Sequence, residues 1–222
     1  MFLESRFYMR HVDKNNMENI DLQYFGCIEL YSTLINVKDI YFYPETTYEK
    51  ALHPNRTVIN GANGPIPLSI PLLGGRNQKG IFKDIQIAED GNWRRIHWRS
   101  IHDSYRKSPW FEELGWQVEA LYQKPEKFLL DWNLKTMQWA IKVLKLNVAI
   151  MAEMGAPAQI RSSKKESSIG INYFGNDLPV YQQVFMERAG FIPNLSIMDL
   201  LFCEGPTSRA YLDRLVIYKN NL

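Results

Sequence analysis

Between Ile20 and Pro44 the chain reads strand, helix, strand, and that order constrains its fold most. "IDLQYFG" is a strand candidate. "CIELYSTLINV" puts Ile28, Tyr31 and either Leu34 or Ile35 on one helical face, and "DIYFYP" is a second strand closed by Pro44. A helix joining two strands in so short a segment is a compact βαβ unit, which sets the class as α/β. We expect one domain over residues 20–215, with a mixed sheet that starts with this unit and several helices packed on it. Residues 1–19 read as a polar N-terminal arm and 216–222 as a C-terminal tail.

Further along, "TVIN" and "IPLSIPLL" flank the glycines of "NGANG" and predict two strands around a turn. Pro67 and Pro71 place the second near a sheet edge. "IFKDIQIA" alternates and predicts another strand. A helix opens at Asn92, a residue able to cap it, and ends near Ser108, because the residue before Pro109 avoids the α region. Residues 110–122 predict a second helix. "PEKFLLDWNLKTMQWAIKVLKL" predicts the strongest one, with Pro125 at its start. "RSSKKESSIG" then reads as a polar loop, "GINYF" as a strand, and "DLPVYQQVFMERAG" as a helix closed by Gly190. In "FIPNLSIMDLLFCEGPT", Ser196 and Asp199 have capping-box-like spacing, with Asp in place of the usual Glu or Gln, and Gly205 with Pro206 ends the helix.

Composition removes several functions. With 26 Lys and Arg against 24 Asp and Glu, the net charge is +2, too balanced for a broad duplex-binding face, so no nucleic-acid partner is expected. Neither Cys27 nor Cys203 has Cys or His neighbours at ligand spacing, so we expect no metal. Glu204 beside Cys203 disfavours a thiolate there. No apolar run approaches ~20 residues and residues 1–16 do not resemble a secretory leader, so the expectation is a cytoplasmic protein without a membrane span. The glycines make neither a phosphate loop nor a dinucleotide fingerprint, and no serine sits in a nucleophile elbow. No cofactor is called for. The oligomeric state is not fixed by the sequence.

Chemistry-bearing residues gather in three places. On a wheel of ~100° per residue, Trp93, His97, Ser100, Ile101, Ser104, Tyr105 and Ser108 share one face of the helix opening at Asn92. His97 lies at the centre of that face, with Asp84 of the preceding segment a candidate to orient it. Two readings fit His97: a general acid/base or ligand donor at the floor of a pocket, or a core histidine satisfied by a hydroxyl or a carbonyl. "HPNRTVINGANG" brings Asn55 and Arg56 to the start of a strand, where a guanidinium offers a planar fork to phosphate or carboxylate. A hairpin with a surface arginine would give the same pattern. Gln23 and Tyr24 end the first strand, on the side of an α/β sheet where ligands bind, or form a local polar turn.

Six blocks together resemble the WbqC-like protein family: "DLQYFGCIELYSTLINVKDIYFYP", "NRTVINGANGPIPLSIPL", "FKDIQI", "NWRRIHWRSIHDSYRKSPWFEEL", "FLLDWNLKTMQW" and "FIPNLSIMDLLFCEGP". They span about residues 20–212, in order. The resemblance places Gln23, Asn55, Arg56, His97, Ser108 and Pro109 on recurrent motif positions. The first motif departs from a "QPxFFP"-like form and reads "QYFGCIELY" here. The family is best known from bacterial polysaccharide and O-antigen clusters. The resemblance therefore implies a role in surface-polysaccharide assembly. The suggested activity is transfer of an amino acid such as glycine to an amino sugar, with a nucleotide sugar and an amino-acid donor as small-molecule partners. On that reading His97 would be the catalytic base. Arg56 would hold a phosphate, and Gln23, Asn55, Asp84, Ser104, Tyr105 and Ser108 would line the substrate site. The alternative is a non-catalytic scaffold that binds a sugar intermediate or a partner enzyme, and a nucleotide-dependent ligase is a third possibility.

Overall fold

The computed structural model describes residues 17–75, 78–89, 91–153 and 179–220. Three strands, β1 (Met17–Asn19), β2 (Asp39–Phe42) and β5 (Ala149–Ala152), form one parallel sheet in the order β1-β2-β5. Helix α1 (Ile28–Thr33) crosses from β1 to β2, so the chain opens with a βαβ unit and the fold is α/β. Strands β3 (Arg56–Gly61) and β4 (Gly64–Ser69) form a separate antiparallel hairpin, register Arg56↔Ser69. Parallel and antiparallel pairings thus lie in two small sheets. Pro65 and Pro67 sit in β4, an edge strand where a missing N–H costs nothing.

Helices α2 (Trp93–Tyr105), α3 (Phe111–Gln123), α4 (Leu129–Val143), α5 (Met186–Ala189), α6 (Ile197–Glu204) and α7 (Ser208–Asn220) complete the described chain. The helices α2 and α6 both pack on β3, and α1 packs on α7. The core between them is ring-rich: Trp132, Tyr24, Tyr31, Tyr105, Phe25 and Phe202 are all fully buried.

Several expectations need correction. The first strand lies at residues 17–19, within the segment read as an arm, and 20–26 is a loop. Phe25 (φ 50) and Gly26 (φ 37) take left-handed backbone that cannot continue a strand. "IFKDIQIA" is not a strand but a 3-10 turn, Phe82–Asp84, with isolated bridges from Ile81, Gln86 and Ile87 to three different segments. Its backbone groups are shared among partners, so no ladder forms. Asn92 makes no side-chain cap and is itself left-handed. The long helix starts at Leu129 rather than Pro125, because Phe128 is extended and bridges Gln86. Of the helix expected over 177–190, only Met186–Ala189 forms among the described residues, while the Tyr181 and Gln183 side chains are tied to Asp199. Strand β5 and helix α7 went unread, and α7 runs past Leu215. The loop expected at 161–170 and the strand at 170–174 lie outside the described residues.

Candidate functional site

Helix α2 buries the face that its wheel marks: Trp93, His97, Ile101, Ser104 and Tyr105 are inside, and Arg95, Arg99, Asp103 and Arg106 are exposed. His97 is 5% exposed. Its ring stacks on Tyr24 at 5.8 Å between centroids and meets the edge of Trp93 at 5.2 Å. Nδ1 lies 2.9 Å from the Tyr24 hydroxyl, which also contacts the hydroxyl of Tyr122. Burial pushes the His97 pKa down to about 4, against the smaller opposing effect of a backbone hydrogen bond with Ser69. A hydrogen bond raises a histidine pKa only when the partner is an acceptor, so that partner is the Ser69 carbonyl. The ring is neutral at pH 7. It donates to Ser69 and accepts from Tyr24, whose own ionisation burial suppresses.

The other residues of this face are held locally. Ser108 Oγ donates to the Tyr105 carbonyl at 2.7 Å, and Ser100 Oγ donates to the Ile96 carbonyl at 3.0 Å. Ser104 is buried. The Tyr105 hydroxyl accepts from the Asn60 backbone N–H and donates to Asp199 at 2.8 Å. Asp84 stands exposed on its 3-10 turn, and the group that orients His97 is Tyr24 instead.

A small pocket opens between three segments: the loop after β1, the start of β3, and the lead into α6. Gln23, Cys27, His53, Arg56, Asn194 and Ser196 are in its wall. Its volume is about 40 Å³, room for one small group. The Gln23 amide oxygen accepts from the Cys27 N–H at 3.2 Å, and Asn194 Oδ1 accepts from the Glu29 N–H at 3.0 Å. Arg56 is exposed, and its Nη2 lies 3.1 Å from Nδ1 of His53. Desolvation and the neighbouring Arg56 charge lower the His53 pKa.

Arg56 also lines a larger cleft of about 490 Å³, with Tyr48, Lys50, Asn55, Ser69 and Gly75 in its wall. Asn55 is anchored there, accepting from the Tyr48 hydroxyl at 3.0 Å and donating to the Ile70 carbonyl at 2.9 Å. The structure therefore brings Gln23, Asn55 and Arg56 to adjoining cavities. His97, Ser104, Tyr105, Ser108 and Asp84 are in the walls of neither. His97 reaches them only through its neighbours, since Tyr24 is in the wall of the small pocket and Ser69 in that of the cleft.

Two residues of consequence escaped the sequence reading. His53 stands two residues before Asn55 in a cluster already singled out, and that adjacency was the signal. Asp199 has the spacing of a helix-capping residue, yet it is fully buried and accepts from Tyr105, Tyr181 and Gln183. An acid flanked by "SIM" and "LLFC" was its signal. Among the described residues no group of three or more His, Cys, Asp or Glu could hold a metal ion, and no helix is long and apolar enough to cross a membrane.

Fold and site define an α/β protein with a cationic cleft beside the loop that follows its first strand. The model of the WbqC-like protein family matches residues 23–165 and 155–211, and the chain belongs to that family. No curated protein and no solved structure matches it.

Proposed function

We propose that this protein is a cytoplasmic component of bacterial surface-polysaccharide (O-antigen) assembly. It binds a phosphate-bearing amino sugar, as in a nucleotide-linked sugar, and transfers an aminoacyl or acyl group such as glycine to the sugar amine. The observation that carries the reading is Arg56, an exposed guanidinium in the walls of two adjoining cavities that hold no carboxylate among the described residues. A guanidinium so placed is suited to a phosphate. Gln23 and Asn55 flank it from fixed positions. In the transfer the amine attacks the activated carboxyl carbon of the donor. The C–N bond forms, the bond to the leaving group breaks, and the amine proton departs with that group. His97 serves from behind the site, holding Ser69, the register partner of Arg56.

The sealed ring of His97, 5% exposed, favours a second reading, a scaffold that binds the sugar without turnover. One experiment separates the two. The protein is incubated with a nucleotide-linked amino sugar and an activated glycine donor, and products are weighed by mass spectrometry. A glycylated sugar supports transfer. Sugar binding in a thermal-shift assay without product supports the scaffold. Absence of both overturns the phosphate-sugar reading.

A further inference from the structure

We infer that His53 and Arg56 form a two-donor clamp for a doubly charged oxyanion, and that the clamp takes up a proton as it closes on its ligand. The inference rests on the phosphate-binding reading above and gives it a second residue and a pH dependence.

The geometry starts from what a guanidinium lacks. It has donors and no acceptor, so the 3.1 Å contact from Arg56 Nη2 makes Nδ1 of His53 the acceptor. The ring proton of the neutral histidine is then on Nε2, and His53 presents an N–H donor on the side away from Arg56. Both side chains are in the wall of one pocket whose other polar members include Gln23, Thr57, Asn194 and Ser196. No carboxylate lines it among the described residues. Glu29, outside this wall, accepts from Asn194 at 3.4 Å.

Backbone conformation adds an independent mark. His53 (φ 56) and Asn194 (φ 53) are left-handed residues of this wall, and Phe25 (φ 50) sits between Tyr24 and Gly26, which are also in it. They make up three of the five non-glycine residues with positive φ in the described chain. Such conformations persist only where the surroundings over-determine them, and they gather at ligand clamps.

A bound dianion cancels the Arg56 charge at His53 and favours the imidazolium. Once Nδ1 is protonated it can no longer accept from Arg56, so both groups turn their donors to the anion. A monoanionic carboxylate is matched by Arg56 alone, and two negative charges call for both. The other groups facing His53 do not blur this response. Arg56 stays charged, and burial pushes Cys27 up to about 11, so it stays a thiol. Burial and Arg56 are the causes that lower His53; Lys50 is on the 3-10 turn before it, and Glu29 accepts from Asn194.

The probe is inorganic sulfate, a dianion whose charge is constant across the range. Its binding to the full chain is measured by calorimetry at pH 5.5 and pH 8, in buffers of different ionisation heat. Long-range 15N–1H NMR follows His53. The expected result is affinity roughly tenfold higher at pH 5.5, with net proton uptake, since each unit of pKa shift is a factor of ten in binding. The free protein shows the Nε2–H tautomer at His53. His53→Gln keeps a donor without titration and flattens the pH dependence, while Arg56→Gln removes binding at both pH values. A flat profile in the unaltered protein, or a slope retained by His53→Gln, overturns the clamp and leaves phosphate binding standing. No sulfate binding at either pH overturns both.

Discussion

The Tyr24 hydroxyl lies 2.9 Å from Nδ1 of His97, and that contact ties a buried ring to the loop after β1. With Ser69 accepting on the other side, hydrogen bonds run from the Tyr24 hydroxyl through the imidazole to the strand that faces Arg56. Charging the ring breaks this arrangement. His97 titrates at about 4 in the folded chain against 6.5 unfolded, so between these values the unfolded state binds more protons. The stability this histidine supplies is complete above pH 6.5 and is lost as pH falls through 4. The loss is on the order of 3 kcal/mol. Urea unfolding between pH 7 and pH 4 should show His97→Gln losing less stability with acid than the unaltered chain. Identical slopes would show that the ring is not buried neutral.

Arg56 is exposed, and the side chain that its guanidinium meets is a histidine, so its loss should leave folding almost untouched. Arg56→Gln should shift stability by less than about 0.5 kcal/mol. A charged hydrogen bond to phosphate contributes about 1.5–3 kcal/mol, so affinity for a phosphorylated amino sugar should fall roughly ten- to a hundredfold. Arg56→Lys keeps the charge, loses the fork, and should fall between. Calorimetry against one sugar phosphate decides it. Unchanged affinity in Arg56→Gln would remove the guanidinium from the site.

Among the described residues, Asp199 gathers three uncharged donors: Tyr181 at 2.5 Å, Tyr105 at 2.8 Å and Gln183 at 3.0 Å. Burial raises its pKa and the three hydrogen bonds work against that rise. The carboxyl pins the segment entering α5, since Gln183 also bonds both backbone groups of Ile192. Asp199→Ala strands all three donors and should cost about 3–5 kcal/mol. Asp199→Asn keeps one acceptor oxygen and should cost clearly less. Hydrogen exchange should quicken over residues 179–192 in the alanine variant first. Equal costs for the two variants would mean that shape, not hydrogen bonding, holds the segment.

The legible parts of this fold were those set by local periodicity. The inward face of α2, the turn between β3 and β4, and the Ser196 cap of α6 all follow from spacing, and each stands in the structure. What was hidden depends on partners far along the chain. Residues 81–88 alternate like a strand, but their backbone is claimed by Thr46, Leu73 and Lys127, which no local pattern reveals. Gln23, Asn55 and Arg56 could be picked by residue type. Yet the histidine that meets Arg56 is His53, held in left-handed backbone, while the one that stands out on the helix wheel is turned toward Tyr24.

Gly205 ends α6 where the chain crosses Trp110. Its φ is 53, and a Cβ there would lie 2.2 Å from the Trp110 ring, far inside contact. The Trp110 backbone is fixed beside this turn, its main-chain N–H donating to the Phe202 carbonyl at 3.1 Å. Gly205→Ala therefore combines backbone strain with a clash and should cost about 3–5 kcal/mol. Gly190, which closes α5 with φ 73, is the control: a Cβ there meets nothing within 4 Å. Gly190→Ala should cost only the strain, about 1–3 kcal/mol. Trimming the ring with Trp110→Leu should make Gly205→Ala less costly by at least 1 kcal/mol, the coupling expected of residues in contact. Strictly additive unfolding free energies in that double-variant cycle would mean that backbone strain alone dictates glycine at this position.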